Sequence, residues 1–167
     1  LHVIAKVLES GPDDISNLTG MELLREKAAK LWIMAGKWDQ YGGSEYNMVF
    51  NRITRRASHI LCEKCPIPIT FLGWEVGHDV ITGNALRKED VLYQVMSDHG
   101  SSGGRASWDP MLVLLAVIGN ETEAGYGIKQ GRASVDEESG RNYFETSKDG
   151  LHCYVVRLHE PHYYANR

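Results

Sequence analysis

Two short stretches carry side chains able to do chemistry together: "GGSEYN" (42–47) and "SWDPM" (107–111). In the first, Glu45 and Asn47 occupy alternate positions. In an extended segment such residues point the same way. A carboxylate beside a carboxamide can hold sugar hydroxyls through directional hydrogen bonds. A polar turn is the plainer account of the same residues. In the second stretch, Asp109 and Pro110 precede an almost wholly apolar run. Asp is a favoured N-cap and Pro a favoured first helical residue, so capping alone accounts for the pair. Capping does not account for Trp108, whose indole beside loop glycines and a carboxylate suits stacking on a planar ring.

A third set is His59, Cys62 and Cys65. Cys and His at this spacing can hold zinc, but a structural site needs four ligands and only one C-x-x-C is present. His152, Cys153, His159 and His162 lie far off in sequence. On a helix, Cys62 also reads as a small buried hydrophobe. Nucleophilic catalysis finds no support, since there is no G-x-S-x-G elbow. The glycines of "GGSEYN" and "GSSGG" are not followed by G-K-[ST], so they form no phosphate loop.

The elements that must position these residues follow from patterning. "VIAKVL" (3–8) reads as a strand broken by Ser10, Gly11 and Pro12. Thr19 and Glu22 form a capping-box pattern ahead of a helix over about 20–30. "KLWIMAG" (30–36) is a short apolar run consistent with a buried strand, and 37–44 is a loop. A helix covers about 53–64 and ends before Pro66. "PITFLGWEVG" (68–77) is the next apolar run. An amphipathic helix with Leu92, Val95 and Met96 inward stops near Gly100. The loop 100–104 leads to an apolar helix over 110–118, ended by Gly119. The tail reads as short strands with turns at 137–140 and 148–150. Strands that alternate with helices and then give way to hairpins predict an α/β fold. The expected sheet is open, mostly parallel and Rossmann-like, flanked by helices, with short antiparallel strands near the C-terminus. Ligands bind beyond the carboxyl ends of such strands, at the exits near Ser10–Gly11, Met34–Gly36 and Trp74–Gly77.

The chain has 167 residues, 43% hydrophobic and 24% charged, with a formal net charge of −4. That predicts one globular domain over 1–167 and argues against a nucleic-acid backbone binder. Arg52, Arg55 and Arg56 read as a solvated helix face. No apolar run approaches the ~20 residues of a membrane span. Three cysteines, an odd count, favour a reducing and hence cytoplasmic compartment. The chain opens at Leu1 without Met and has no closing element, which reads as a processed chain or a portion of a longer one.

The order of motifs resembles the nucleoside hydrolases of the inosine/uridine-preferring type. The resemblance rests on "ESGPDDISNL", "KLWIMAG", "SEYN", "PIPITFLGWEVG", "SWDPM" and "GRASVD", in that order and over nearly the whole chain. It implies an N-glycosidase of purine or pyrimidine salvage that hydrolyses ribonucleosides to ribose and free base. Members hold Ca²⁺ on aspartates and a backbone carbonyl, and the ion grips two ribose hydroxyls and a water. Carried over by position, Asp109 looks like a calcium-binding carboxylate. Ser10 looks like the residue whose backbone carbonyl binds the ion. Glu45 and Asn47 look like ligands of ribose hydroxyls, and Met34 looks like a residue lining the ribose site. Trp108 stands where many members have a His that protonates the leaving base; members with Trp there stack it on a purine.

The departures are as definite. The family's N-terminal Asp-x-Asp-x-x-x-Asp-Asp signature is absent, and with it most metal carboxylates and the general base. Asp13 and Asp14 stand in the wrong turn to replace it. The resemblance therefore implies part of a site, completed by a missing N-terminal segment or a partner chain, and little or no turnover by these residues alone. It also implies a homo-oligomer. Two alternatives stay open: a non-catalytic riboside- or sugar-binding protein of the same build, and a zinc-stabilised structural domain on His59, Cys62 and Cys65.

Overall fold

The computed structural model describes residues 1–167. Helices α1 (His2–Glu9) and α2 (Gly20–Lys27) precede strand β1 (Leu31–Met34). The short helix α3 (Tyr46–Val49) and α4 (Arg52–Lys64) lead to β2 (Ile69–Leu72), followed by α5 (Trp74–Gly77). Next come β3 (Ile81–Thr82), α6 (Val91–Asp98), β4 (Arg105–Ala106) and α7 (Trp108–Ile118). The chain closes with β5 (Tyr126–Val135), β6 (Asn142–Thr146), β7 (His152–Arg157) and α8 (Pro161–Ala165).

Five strands form one sheet in the order β1-β2-β7-β5-β6, and β3 pairs with β4 in a small antiparallel sheet. β1, β2 and β7 run parallel, while β5 is antiparallel to both β7 and β6. The sheet is thus mixed: its β1-β2-β7 part is parallel, as expected, and β5 alone runs against the other four strands. The hairpin turn at 137–140 joins β5 directly to β6, and such a direct reversal forces antiparallel pairing; β6 and β7 both run against β5, so 148–150 carries the chain from one edge of β5 to the other.

Alternation along the strands sorts their side chains onto two cores. Leu31, Ile33, Ile69 and Phe71 face one side, where α1, α2 and α4 pack. Trp32, Met34, Leu72 and Val155 face the other, with Met111 and Leu115 of α7, Val76 of α5 and Tyr164 of α8. Helices flank both faces, as the alternating pattern predicted.

Local signals mostly hold. Thr19 and Glu22 form the full capping box of α2. Asn51 and Thr54 make a reciprocal pair that starts α4. Gly119 ends α7 at φ 73°, a left-handed position that glycine adopts without a Cβ penalty.

Three expectations are corrected. Residues 3–8 form helix α1, not a strand. Ala5 and Leu8 are buried, with Leu1 and Ile4 packed beside them, and this i, i+3, i+4 spacing outweighs the strand preference of Val and Ile. On α6, Leu92 and Val95 point outward and no residue is buried. Only one side of Met96 is covered, where its thioether lies over Gly83. The 107–111 stretch starts its helix earlier than expected: Ser107 is the N-cap and Trp108 the first helical residue. Asp109 and Pro110 therefore lie inside the first turn. No helix is long and apolar enough to cross a membrane.

Candidate functional site

The parallel part of the sheet gathers side chains at the carboxyl end of β1. Beyond Met34 the chain turns through Gly36, Lys37 and Trp38, then loops to Glu45, the N-cap of α3. The Glu45 carboxyl is buried and returns beneath that turn. Its Oε2 accepts the Gly36 N–H at 3.0 Å. Its Oε1 accepts the Asn47 backbone N–H at 3.0 Å and the Asn47 side-chain N–H at 3.1 Å. The same Asn47 amide nitrogen reaches the Met34 carbonyl at 3.4 Å and the Met34 sulfur at 3.3 Å. Met34, Glu45 and Asn47 thus form one hydrogen-bonded unit.

Asp109 approaches this unit from the other core. Helix α7 packs on β1 and on α5, which carries its first turn to the strand end. Burial pushes the Glu45 carboxyl above the ordinary carboxylate range; the Asn47 and Gly36 N–H groups oppose that, and the charge of Asp109 adds to it. Asp109 is exposed and makes no hydrogen bond or ion pair within the chain. Since Ser107 holds the cap position, the Asp109 carboxylate has no capping duty, and the helix N-terminus favours its charge.

Trp108 is half-buried rather than exposed. Its indole N–H donates to the Trp74 carbonyl at 2.8 Å, and its ring lies against Gly77, where an added Cβ would stand 2.6 Å from Cδ1. Trp74 stacks on His78 at 4.2 Å, with the Lys37 ammonium 4.5 Å from the ring centre. The indole of Trp108 therefore forms a fixed wall between the exits of β2 and α7.

Ser10 does not join this group. It ends α1, its hydroxyl donates to the Val7 carbonyl, and its own carbonyl accepts the Gly20 N–H at 3.1 Å. It stands at no strand exit, because the strand it was assigned to is a helix. That helix packs on the face opposite α7.

The cysteines and histidines do not assemble into a centre. No group of three or more His, Cys, Asp or Glu side chains is arranged to hold a metal. His59 Nδ1 bonds the Val135 carbonyl at 2.7 Å, and Cys153 pairs with the Thr70 hydroxyl at 3.1 Å. Cys62, Cys65 and His152 do line one cavity of about 460 Å³. Burial pushes the Cys62 thiol well up, in keeping with a small buried hydrophobe. His152 Nδ1 accepts the Ala133 N–H at 2.9 Å. A neutral imidazole has one lone pair to give, so His152 keeps its proton on Nε2 and is a poor ligand. Calcium takes six to eight oxygens. No group of side chains able to supply such a shell gathers around Asp109.

Two polar residues of the site, the buried Asn142 and the half-buried Glu75, escaped the sequence reading. Asn142, at the start of β6, clamps Lys37 by accepting its N–H at 3.1 Å and donating to its carbonyl at 2.8 Å. Glu75, in the first turn of α5, accepts the Trp38 N–H at 3.2 Å, while its Oε1 is buried without a partner. A carboxylate inside the apolar run "FLGWEVG" was the available signal for Glu75. Nothing local marked Asn142, whose role depends on a loop some hundred positions earlier in the chain.

No protein-family model matches the chain, and no curated protein matches it at a significant level.

Proposed function

We propose that this chain is the ribose-gripping part of a nucleoside hydrolase, an enzyme that cleaves the N-glycosidic bond of ribonucleosides with water, built on a Rossmann-like sheet. One observation carries the reading: Glu45 and Asn47 meet at the carboxyl end of β1, with Asp109 near enough for its charge to act on Glu45, and all three have acceptor oxygens to spare. Both N–H groups of the Asn47 carboxamide face Met34 and Glu45, which leaves its oxygen free. Glu45 Oε2 accepts one bond and has capacity for another. Asp109 accepts none. A site so rich in acceptors calls for a ligand rich in donors, and the vicinal hydroxyls of ribose meet that need. The Trp108 wall offers a ring face beside them for a nucleobase.

In hydrolysis these residues orient the sugar. Acceptors held by a rigid turn fix the ring, and fixed geometry lowers the barrier to attack at the anomeric carbon. Asp109 is the residue that would face Ca²⁺, which in this chemistry favours deprotonation of water. The remaining calcium oxygens and the base that activates water are not among these residues, so no step is assigned to them. The reading expects binding by this chain and weak turnover.

The test is calorimetric titration of the chain with inosine and with 2′,3′-dideoxyinosine, each with and without CaCl₂. Inosine should bind, and the dideoxy analogue should bind at least tenfold more weakly, about the 1.4 kcal/mol expected for lost hydrogen bonds to charged acceptors. Equal affinity for the two, or full turnover of inosine by the chain alone, would overturn the proposal.

A further inference from the structure

The turn beyond β1 is held in an unusual way. Three consecutive backbone N–H groups each donate to a side chain from a different part of the fold. Gly36 N–H goes to Glu45, Lys37 N–H to Asn142, and Trp38 N–H to Glu75. The Gly36 carbonyl in turn accepts the Trp74 N–H at 2.8 Å. The first donor belongs to the site and the third reaches Glu75, so the two carboxyls hold opposite ends of one short rigid turn.

Glu75 differs from Glu45 in one respect. Glu45 has both oxygens bonded, whereas Glu75 Oε1 is enclosed with no partner. Gly73 makes that enclosure possible. An added Cβ there would stand 2.4 Å from Oε1, 2.5 Å from Oε2 and 2.6 Å from the Trp38 ring. A buried anion with an unsatisfied oxygen is costly, and the neutral acid far less so. The charged groups acting on Glu75 are Lys37, which favours its ionised form, and Asp39, which opposes it. Tyr154 also feels its charge, and His78 bonds its backbone carbonyl.

We propose that Glu75 is a positioning residue that keeps the 36–38 turn closed and thereby holds Glu45 in place for its ligand. The ligand clause rests on the ribose reading above; the turn itself does not. Burial lifts the Glu75 carboxyl to about 7, so the proton leaves near neutral pH. Once Glu75 is ionised, its enclosed oxygen must find water or the Lys37 ammonium. The Trp38 N–H itself favours the anion, so the turn loosens only as the enclosed oxygen swings out to be solvated and takes the carboxyl with it.

The test follows the backbone amide resonances of Gly36 and Trp38 from pH 5.5 to 8.5. In the wild type both should titrate together with a midpoint near 7. Glu75→Gln keeps an acceptor for Trp38 and cannot ionise, so the titration should vanish while the low-pH positions remain. Inosine affinity should fall roughly threefold to tenfold across the same range, the worth of about one hydrogen bond, and stay flat in Glu75→Gln. If Gly36 does not titrate, or titrates unchanged in Glu75→Gln, the positioning role is overturned. If both amides titrate as expected but no variant binds inosine at any pH, the positioning role stands and the ribose reading falls.

Discussion

Asn47 and Glu45 are joined twice, since the backbone and side-chain N–H groups of Asn47 both reach Glu45 Oε1, at 3.0 and 3.1 Å. A carboxamide spent on orienting a carboxylate leaves its own oxygen aimed outward, so the pair acts as one acceptor surface. Asn47→Ala removes both a ligand acceptor and a brace on Glu45. Inosine affinity should fall by about tenfold or more. On the proposed reading, KM for inosine should rise and kcat fall together, because ground-state grip and orientation are both lost. Exposed Asn47 makes little packing, so thermal unfolding should shift by only a degree or two per few tenths of a kcal/mol.

Asp109 has no partner inside the chain and sits in the first turn of α7. On the proposed reading, Asp109→Ala should abolish any N-glycosidase turnover and any calcium dependence of riboside binding. The fold should lose only the helix-end charge interaction, about 0.3–1 kcal/mol. Calorimetry with and without CaCl₂, alongside thermal unfolding, separates the two effects. A large stability loss with binding intact would contradict the assignment.

Glu75 makes stability depend on pH in an uncommon direction. Its folded-state pKa lies near 7, against an ordinary 4.5. Between those values the unfolded chain has lost the proton and the native state keeps it. The native state then binds more protons, so stability falls as pH rises through this window and levels above about 7. The full difference is on the order of 3 kcal/mol at 1.36 kcal/mol per unit. Glu45, raised in the same sense, adds to the slope. Urea unfolding at pH 5 and pH 7.5 should show the loss, and Glu75→Gln should remove most of it.

Gly77 and Trp108 meet where α5 touches α7. A Cβ at 77 would lie 2.6 Å from the indole Cδ1 and 3.0 Å from the Trp108 Cα. Because one of these atoms is backbone, Gly77→Ala must move the start of α7, at a cost of about 1–3 kcal/mol. That shift carries Asp109 with it, so inosine binding should weaken beyond what the stability loss explains. Leu115→Ala serves as a control. It empties a fully buried position in the same helix, costing about 2–5 kcal/mol, without touching the first turn.

Local chemistry was legible where it decided the outcome alone. The Thr19–Glu22 box, the glycine stop at 119, the strand at 31–34 and the helix ending at Lys64 all appear as the patterning predicts. The "SWDPM" stretch was recognisable as a polar group at a helix start, whereas "SEYN", expected as an extended segment or a polar turn, forms the N-cap and first residues of α3. The direction of the strands, the side chosen by α1 and the outward face of α6 were not legible. Each depends on which partner buries a given apolar stripe, and short apolar runs fit helix and strand alike.

By itself the sequence determined residue chemistry: acceptor-rich stretches, an apolar strand before them, and caps that start and stop helices. Only the tertiary structure decided which of these meet. It placed Met34, Glu45 and Asn47 in one hydrogen-bonded unit, brought Asp109 toward them through α7, and left Ser10 on the other face. It also recruited Asn142 and Glu75 to a turn far from them in the chain. The physical reason is that a buried backbone N–H must be satisfied by whatever acceptor folding brings beside it, and that acceptor is chosen by packing across the sheet rather than by neighbours in sequence.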